Sequence, residues 1–182
     1  MPIYSLLESY GHLNDTVVII TADHGEEFSE HGGLSHDGKM CAELIDVPLL
    51  IYNPSLAQGL VCDSVVSTVD VSPTILHSFG LDPVPAFQGH SLLPFEEYPK
   101  NEAFGEAIDK HGPTERGASH GVFFYREGDL KVIYREKDDS WELYDLKKDP
   151  KELNNAVNES PQFEAMKAKL MPRIGKWRKS AI

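Results

Sequence analysis

The sequence predicts an α/β chain in two parts. Residues 1–98 carry the marks of a mixed or parallel sheet with helices, and residues 99–182 those of a small antiparallel sheet closed by a helix. Three observations lead there. Val17-Val18-Ile19-Ile20 and Val47-Pro48-Leu49-Leu50-Ile51-Tyr52 are short β-rich apolar runs without alternation, which is how strands buried on both faces of a parallel sheet read. After residue 100, short β-rich segments are divided by turn sequences such as Glu127-Gly128-Asp129 and Lys137-Asp138-Asp139-Ser140, the pattern of antiparallel hairpins. Phe163, Met166, Leu170 and Ile174 then recur at helical spacing.

Taken in order, Ile3, Leu6, Leu7 and Tyr10 predict a first helix with Gly11 as its stop. Asn14-Asp15 turns the chain into the first strand. The stretch from Glu26 to Lys39 is rich in Gly, Ser and His, too polar to pack and too long for a simple connector. Residues 40–46 suit a short helix leading into the second strand, which Asn53-Pro54-Ser55 ends. The β-rich Val61–Val69 stretch suggests a third strand. Asp70 to Gly80 reads as a helix with Pro73 in its first turn and Gly80 as its stop, and His77 on it reads as structural. Pro83, Pro85, Pro94 and Pro99 mark a linker or irregular wrap. Ala103–Ile108, Gly121–Tyr125, Leu130–Arg135 and Trp141–Tyr144 read as four strands, and residues 161–178 as a helix that Pro172 is expected to break or bend.

The 182 residues suffice for one ordinary domain with a real core, and 41% hydrophobic with 25% charged residues is the balance of a globular chain. A formal net charge of −12 argues against a nucleic-acid partner and repels an anionic ester unless a cation is held locally. No run is long enough to span a membrane. The N-terminus lacks a basic segment followed by a long apolar run, and Cys41 and Cys62 form no disulfide framework, so a reducing, cytoplasmic setting is expected.

The polar loop carries the chemistry. The first strand ends in Thr21-Ala22-Asp23-His24-Gly25-Glu26, so Asp23 and His24 sit where open α/β sheets place ligands. A carboxylate oxygen and a neutral imidazole nitrogen are good donors to a divalent cation, and Gly25 allows a sharp turn. An Asp-His-Gly sequence equally suits a tight turn or a helix cap. Glu30, His31, His36, Asp37 and Lys39 complete the polar cluster, His31 as a brace of the loop; His90, His111 and His120 fall in loops or at strand edges.

These motifs resemble the sulfatase branch of the alkaline-phosphatase superfamily. Its members carry a strand ending in T/S-D-H/N-G-E, then G/S-E-H-G, a downstream lysine and a strand beginning V-P-L. The counterparts here are Ala22–Glu26, Ser29-Glu30-His31-Gly32, Lys39 and Val47–Ile51. Val66–Leu76 is similar to the family's V-D-x-x-P-T-x-L helix entry, Gln88–Leu92 to its G-x-S-L turn, and Glu142–Leu146 with Asp149, Pro150, Glu152 and Asn154 to its closing E-L-Y-D-L segment. The resemblance implies a partial alkaline-phosphatase-like fold and a metal-dependent hydrolase of sulfate or phosphate esters. It implies Asp23 and His24 as metal ligands, with Ca²⁺ first and Mn²⁺, Mg²⁺ or Zn²⁺ as alternatives. Lys39 then contacts the ester's anionic oxygens, and His36 gives a proton to the leaving group or supports a neighbour.

The family's nucleophile is a Cys or Ser in C/S-x-P/A-x-R, and an acidic pair completes its metal site. Cys41 is followed by Ala-Glu-Leu-Ile and Cys62 by Asp-Ser-Val-Val, so neither fits. The chain therefore resembles the C-terminal part of such an enzyme, inactive alone, and expected to meet a complementary N-terminal half or to form a homodimer through an unsatisfied sheet edge. The alternatives are a phosphodiesterase or phosphomonoesterase of the same superfamily, or a non-catalytic metal-binding or interaction module.

Overall fold

The computed structural model describes residues 2–36, 38–56, 59–82, 84–95, 98, 101–108 and 120–180; Asp37 and His111 lie outside them. The chain forms two compact units. One comprises residues 1–23, 47–63 and 68–98, the other residues 24–46, 64–67 and 99–182.

In the first unit, α1 (Ile3–Ser9) starts after Pro2 and stops before Gly11, whose φ of 76° is the left-handed conformation glycine adopts without penalty. Strands β1 (Val18–Thr21) and β2 (Leu49–Tyr52) pair directly, but antiparallel, with Val18 opposite Tyr52 and Thr21 opposite Leu49. The parallel, fully buried pairing read from the sequence is thereby corrected. A β-branched run does not encode strand direction, and Ile20 and Leu50 stand 51% and 57% exposed. Tyr52 closes the unit by donating its hydroxyl to the Leu13 carbonyl at 3.2 Å and meeting the edge of Tyr4. The expected strand at Val61–Val69 does not form; Thr68–Asp70 makes a single 3₁₀ turn feeding α3 (Val71–Ser78).

The motifs around α3 prove to be a polar staple. Buried Asp70 accepts hydrogen bonds from the His90 backbone and the Tyr98 hydroxyl, both at 2.8 Å. Thr74 donates to the Asp70 carbonyl at 2.6 Å while its Oγ accepts from the Leu92 backbone at 2.9 Å. His77 bonds Ser91 at 2.8 Å, a structural contact.

The second unit is an antiparallel meander of β3 (Glu102–Ile108), β4 (Gly121–Glu127), β5 (Leu130–Arg135) and β6 (Ser140–Asp145), neighbours in that order. From Gly121 to Tyr125, β4 is buried on both faces. Phe123 and Tyr125 pack with Met166, Leu170 and Ile174 of α4 (Phe163–Ser180). Val122 and Phe124 pack with Ile133, Tyr144 and Met40, so the end of the polar loop supplies part of the opposite core. The helix runs through Pro172, so of the expected break or bend the break does not occur. A proline tolerated inside a helix forfeits one backbone hydrogen bond, and here the buried side chains on either side of it, Leu170 and Ile174, both belong to the core cluster.

Lys131 of β5 is 1% exposed and donates to Glu152 at 2.6 Å, a fully buried ion pair. Glu152→Ala leaves that ammonium uncompensated and is expected to lower unfolding free energy by about 3–5 kcal/mol. Lys169→Ala breaks the half-exposed pair with Glu127 and is expected to cost less than about 1 kcal/mol. Urea unfolding followed by tryptophan fluorescence measures both, and equal losses would contradict the contrast.

Candidate functional site

The polar loop returns from β1 toward β2 through α2 (Ala42–Ile45). Gly25 serves close approach rather than a special turn. Its N–H donates to the Leu44 carbonyl at 2.8 Å, and a Cβ on it would lie 1.9 Å from the Glu43 carbonyl oxygen. Beyond it Glu27 is completely buried and acts as a hub. One carboxylate oxygen accepts the backbone N–H groups of His31 at 3.0 Å and Gly33 at 2.6 Å. The other accepts from the Lys39 ammonium at 2.5 Å. That lysine, together with the two amides, holds the Glu27 carboxyl below its ordinary range despite the opposing effect of burial.

His31 braces the loop from the other side. Its Nδ1 faces Glu43 at 2.6 Å and its Nε2 faces the Glu152 backbone carbonyl at 3.1 Å. Both partners can only accept, so both ring nitrogens carry protons and the ring is an imidazolium. Burial alone would depress its pKa; the bonds to Glu43 and Glu152 outweigh this and raise it. The ligand atoms of His31, Cys41, Glu43 and Glu152 lie within 4.8 Å of one another, a spacing that could suit a metal. The set is already balanced without one. The two His31 N–H groups are donated, and the Glu152 carboxylate accepts from Lys131 and from the Ala42 backbone at 2.9 Å. The Cys41 thiol is pushed up to about 11 by burial and by the Glu43 and Glu152 charges, so it is no thiolate ligand near neutral pH.

The four residues singled out by sequence fall as follows. Asp23 is exposed just after β1, in the first unit, and His24 opens the second. His24 Nδ1 lies 2.7 Å from the Gly25 carbonyl. A carbonyl only accepts, so Nδ1 carries a proton and this bond fixes the orientation of the ring, as the second nitrogen of a metal-ligating imidazole does. The His36 ring stacks on His24 with centroids 4.3 Å apart, and its Nδ1 lies 3.1 Å from Glu26. The second Glu26 oxygen is buried without a hydrogen-bond partner among the described residues. An oriented imidazole on a loop that also carries an unsatisfied Glu26 carboxylate oxygen fits a divalent metal, although a hard cation needs about six donors and this loop offers only part of them. Lys39 is bound by Glu27 at 2.5 Å and by the His31 carbonyl at 3.2 Å. Sequence reasoning quoted Glu26 within the motif without giving it a role, and missed Glu27, Glu43 and Lys131. The signals were a second glutamate after Glu26 and a lysine near the start of an otherwise apolar strand, and Glu43 had none.

The antiparallel strand pair of the first unit, the Asp-His loop that follows β1, and the meander and long helix of the second unit are the elements of the C-terminal portion of an alkaline-phosphatase-like fold. Residues 29–180 match the family described as N-sulphoglucosamine sulphohydrolase, C-terminal. An N-acetylglucosamine-6-O-sulfatase of Bacteroides thetaiotaomicron is 32% identical over 167 residues, covering 88% of this chain and 30% of the relative. Arylsulfatase K of Homo sapiens is 33% identical over 160 residues, covering 83% and 29%. Among solved structures, one in complex with its substrate D-glucosamine-2-N,6-O-disulfate aligns with a TM-score of 0.70 at 28% identity, over 97% of this chain and 37% of that one. A phosphonate monoester hydrolase from Silicibacter pomeroyi aligns at 0.79 with 22% identity, over 99% and 38%, a likeness of fold alone. The chain belongs to the sulfatase family. It spans about 30% of the length of the curated relatives it matches. Among the described residues no helix is long and apolar enough to cross a membrane.

The raised His31 pKa makes stability pH-dependent with a definite sign. A group bound more tightly as the cation in the folded state contributes in full below its unfolded value of 6.5 and loses that contribution as pH rises through the folded value. The gap in unfolding free energy between wild type and His31→Gln is therefore expected to be widest below pH 6.5 and to close above it. Glu27 has the opposite sign, contributing above its ordinary 4.5 and losing it as pH falls through its depressed folded value. Urea midpoints across pH measure this, and a gap that widens with rising pH would contradict the imidazolium.

Proposed function

We propose that the chain supplies the metal- and ester-binding loop of a metal-dependent sulfatase acting on a sulfated amino sugar. The observation that carries this reading is the loop itself. The His24 ring is oriented through its Nδ1, the same loop carries the unsatisfied Glu26 oxygen, and Lys39 projects from a buried ionic frame on it. The 6-O-sulfatase relative and the disulfated glucosamine bound by a structural neighbour support the substrate class.

In this reading Asp23 and His24 hold the cation, Ca²⁺ before Mn²⁺, Mg²⁺ or Zn²⁺. A metal held there would supply Lewis-acid polarisation of the ester and activation of the nucleophile. Lys39, a compact cation, contacts the non-bridging sulfate oxygens and stabilises charge that develops on them. His36, oriented by Glu26, delivers a proton to the leaving oxygen. The nucleophile and an acidic ligand pair come from a complementary N-terminal segment, because neither cysteine stands in the nucleophile motif. Residues 1–98 are then the C-terminal half of the catalytic domain and residues 99–182 its antiparallel subdomain. The exposed Ile20 and Leu50, with Ile3 and Tyr4 on α1 and Tyr10 just after it, are the apolar surface such a segment covers, or a second copy of the chain in its absence.

Thermal-shift titration with Ca²⁺, Mg²⁺, Mn²⁺ and Zn²⁺ tests the metal reading. Stabilisation of the wild type, absent from a protein carrying Asp23→Ala and His24→Ala, is the expected result. No stabilisation by any of the four would favour a non-catalytic interaction module. Sedimentation at micromolar concentration is expected to show a dimer, and a clean monomer would remove the self-association.

A further inference from the structure

Lys39 is aimed. Two of its three N–H bonds have partners, Glu27 Oε2 at 2.5 Å and the His31 carbonyl at 3.2 Å, and the third has none among the described residues. Its partner carboxylate has no freedom to follow it. Glu27 is fully buried, and its other oxygen is committed to two backbone amides of the same loop. The side chain of Lys39 is 27% exposed, so its remaining N–H has access to solvent while the other two are fixed from below. Gly33 completes the cradle. A Cβ on it would lie 2.7 Å from both Glu27 Oε2 and Lys39 Nζ, so the ion pair fills the space a side chain would take.

We infer that Glu27 is a positioning residue for Lys39, holding the ammonium by two bonds so that its third N–H points to a sulfate oxygen, with Gly33 keeping the space in which the pair sits. This rests on the reading of Lys39 as the contact to the ester. It adds a division of labour within the loop. Glu27 never meets substrate, and its carboxylate spends its charge on geometry rather than on binding.

The geometry also says which substitutions separate placement from charge. Glu27→Gln removes the anion and leaves the two amides with an acceptor. Gly33→Ala keeps both charges and displaces them. Of the two atoms it meets, Glu27 Oε2 is fixed and Lys39 Nζ ends a flexible side chain, so the fold can absorb the methyl by moving the ammonium away from its site.

The test is the rate at which Lys39 is acetylated by acetic anhydride, read by peptide mass spectrometry on the 182-residue chain. Wild type, Glu27→Gln and Gly33→Ala are compared in MgCl₂ with sodium sulfate or with sodium chloride at equal ionic strength. Without sulfate, Lys39 is expected to react several-fold faster in Glu27→Gln, where its nitrogen loses the carboxylate that holds it, and faster in Gly33→Ala than in wild type. Sulfate is expected to slow Lys39 several-fold in wild type and to have little effect in either variant, with exposed Lys148 as the unprotected reference. An unchanged rate in a folded Glu27→Gln protein would overturn the inference. Equal sulfate protection in wild type and Gly33→Ala would overturn it too, leaving Lys39 as an anion contact that needs no positioning. Absence of protection in wild type would overturn the reading of Lys39 and the inference together. If Glu27→Gln fails to fold, Gly33→Ala decides alone.

Discussion

The carboxylate of Glu152 meets two partners at once and its backbone carbonyl a third. Lys131 comes from the middle of the sheet, the Ala42 amide from the start of α2, and His31 from the tip of the loop. Three segments far apart in sequence converge on one residue. It holds a φ of 53°, a left-handed conformation that a glutamate adopts only when its surroundings over-determine it. Cys41, at the N-cap of α2, makes no side-chain cap bond, and Glu152 supplies the missing acceptor from outside. The family's closing E-L-Y-D-L segment is thus tied directly to the loop that begins its Asp-His motif.

Each acidic group in this frame is matched. Glu152 faces Lys131, Glu43 faces the His31 imidazolium, and Glu27 faces Lys39. A chain with a net charge of −12 can present cationic groups to an anionic ester only if its nearby carboxylates are occupied. Burial makes each pairing obligatory, since an unpaired charge in such a place costs far more than an exposed one. Two of the pairs, Glu27 with Lys39 and His31 with Glu43, tie separate parts of the loop to one another and to α2.

Much of this was legible in the sequence. The four strands of the meander, the helix spacing of Phe163, Met166, Leu170 and Ile174, and the motif residues all follow from periodicity, turn chemistry and resemblance. Strand direction in the first unit was not legible, because Val18–Thr21 and Leu49–Tyr52 are equally apolar in either orientation and loop length does not force a crossover. The missing third strand reflects a tertiary choice as well: Asp70 is drawn inward to meet His90 and Tyr98, and the chain winds into a turn before it. Within the site, ligand types were readable but their partners were not. Nothing in the spacing of Glu27 and Lys39, or of Lys131 and Glu152, distinguishes a buried pair from two solvated charges.

The antiparallel pairing of β1 with β2 has a consequence for the loop between them. Thr21 and Leu49 face each other across one strand spacing, so the segment of residues 22–48 begins and ends at a closed stem. Closing such a segment costs entropy only as the logarithm of its length, about 0.6 kcal/mol for each doubling. Residues can be inserted or removed between the Asp-His pair and the lysine without disturbing the strands on which they start and finish. A single scaffold can therefore carry site loops of many lengths, each resting on its own buried charges.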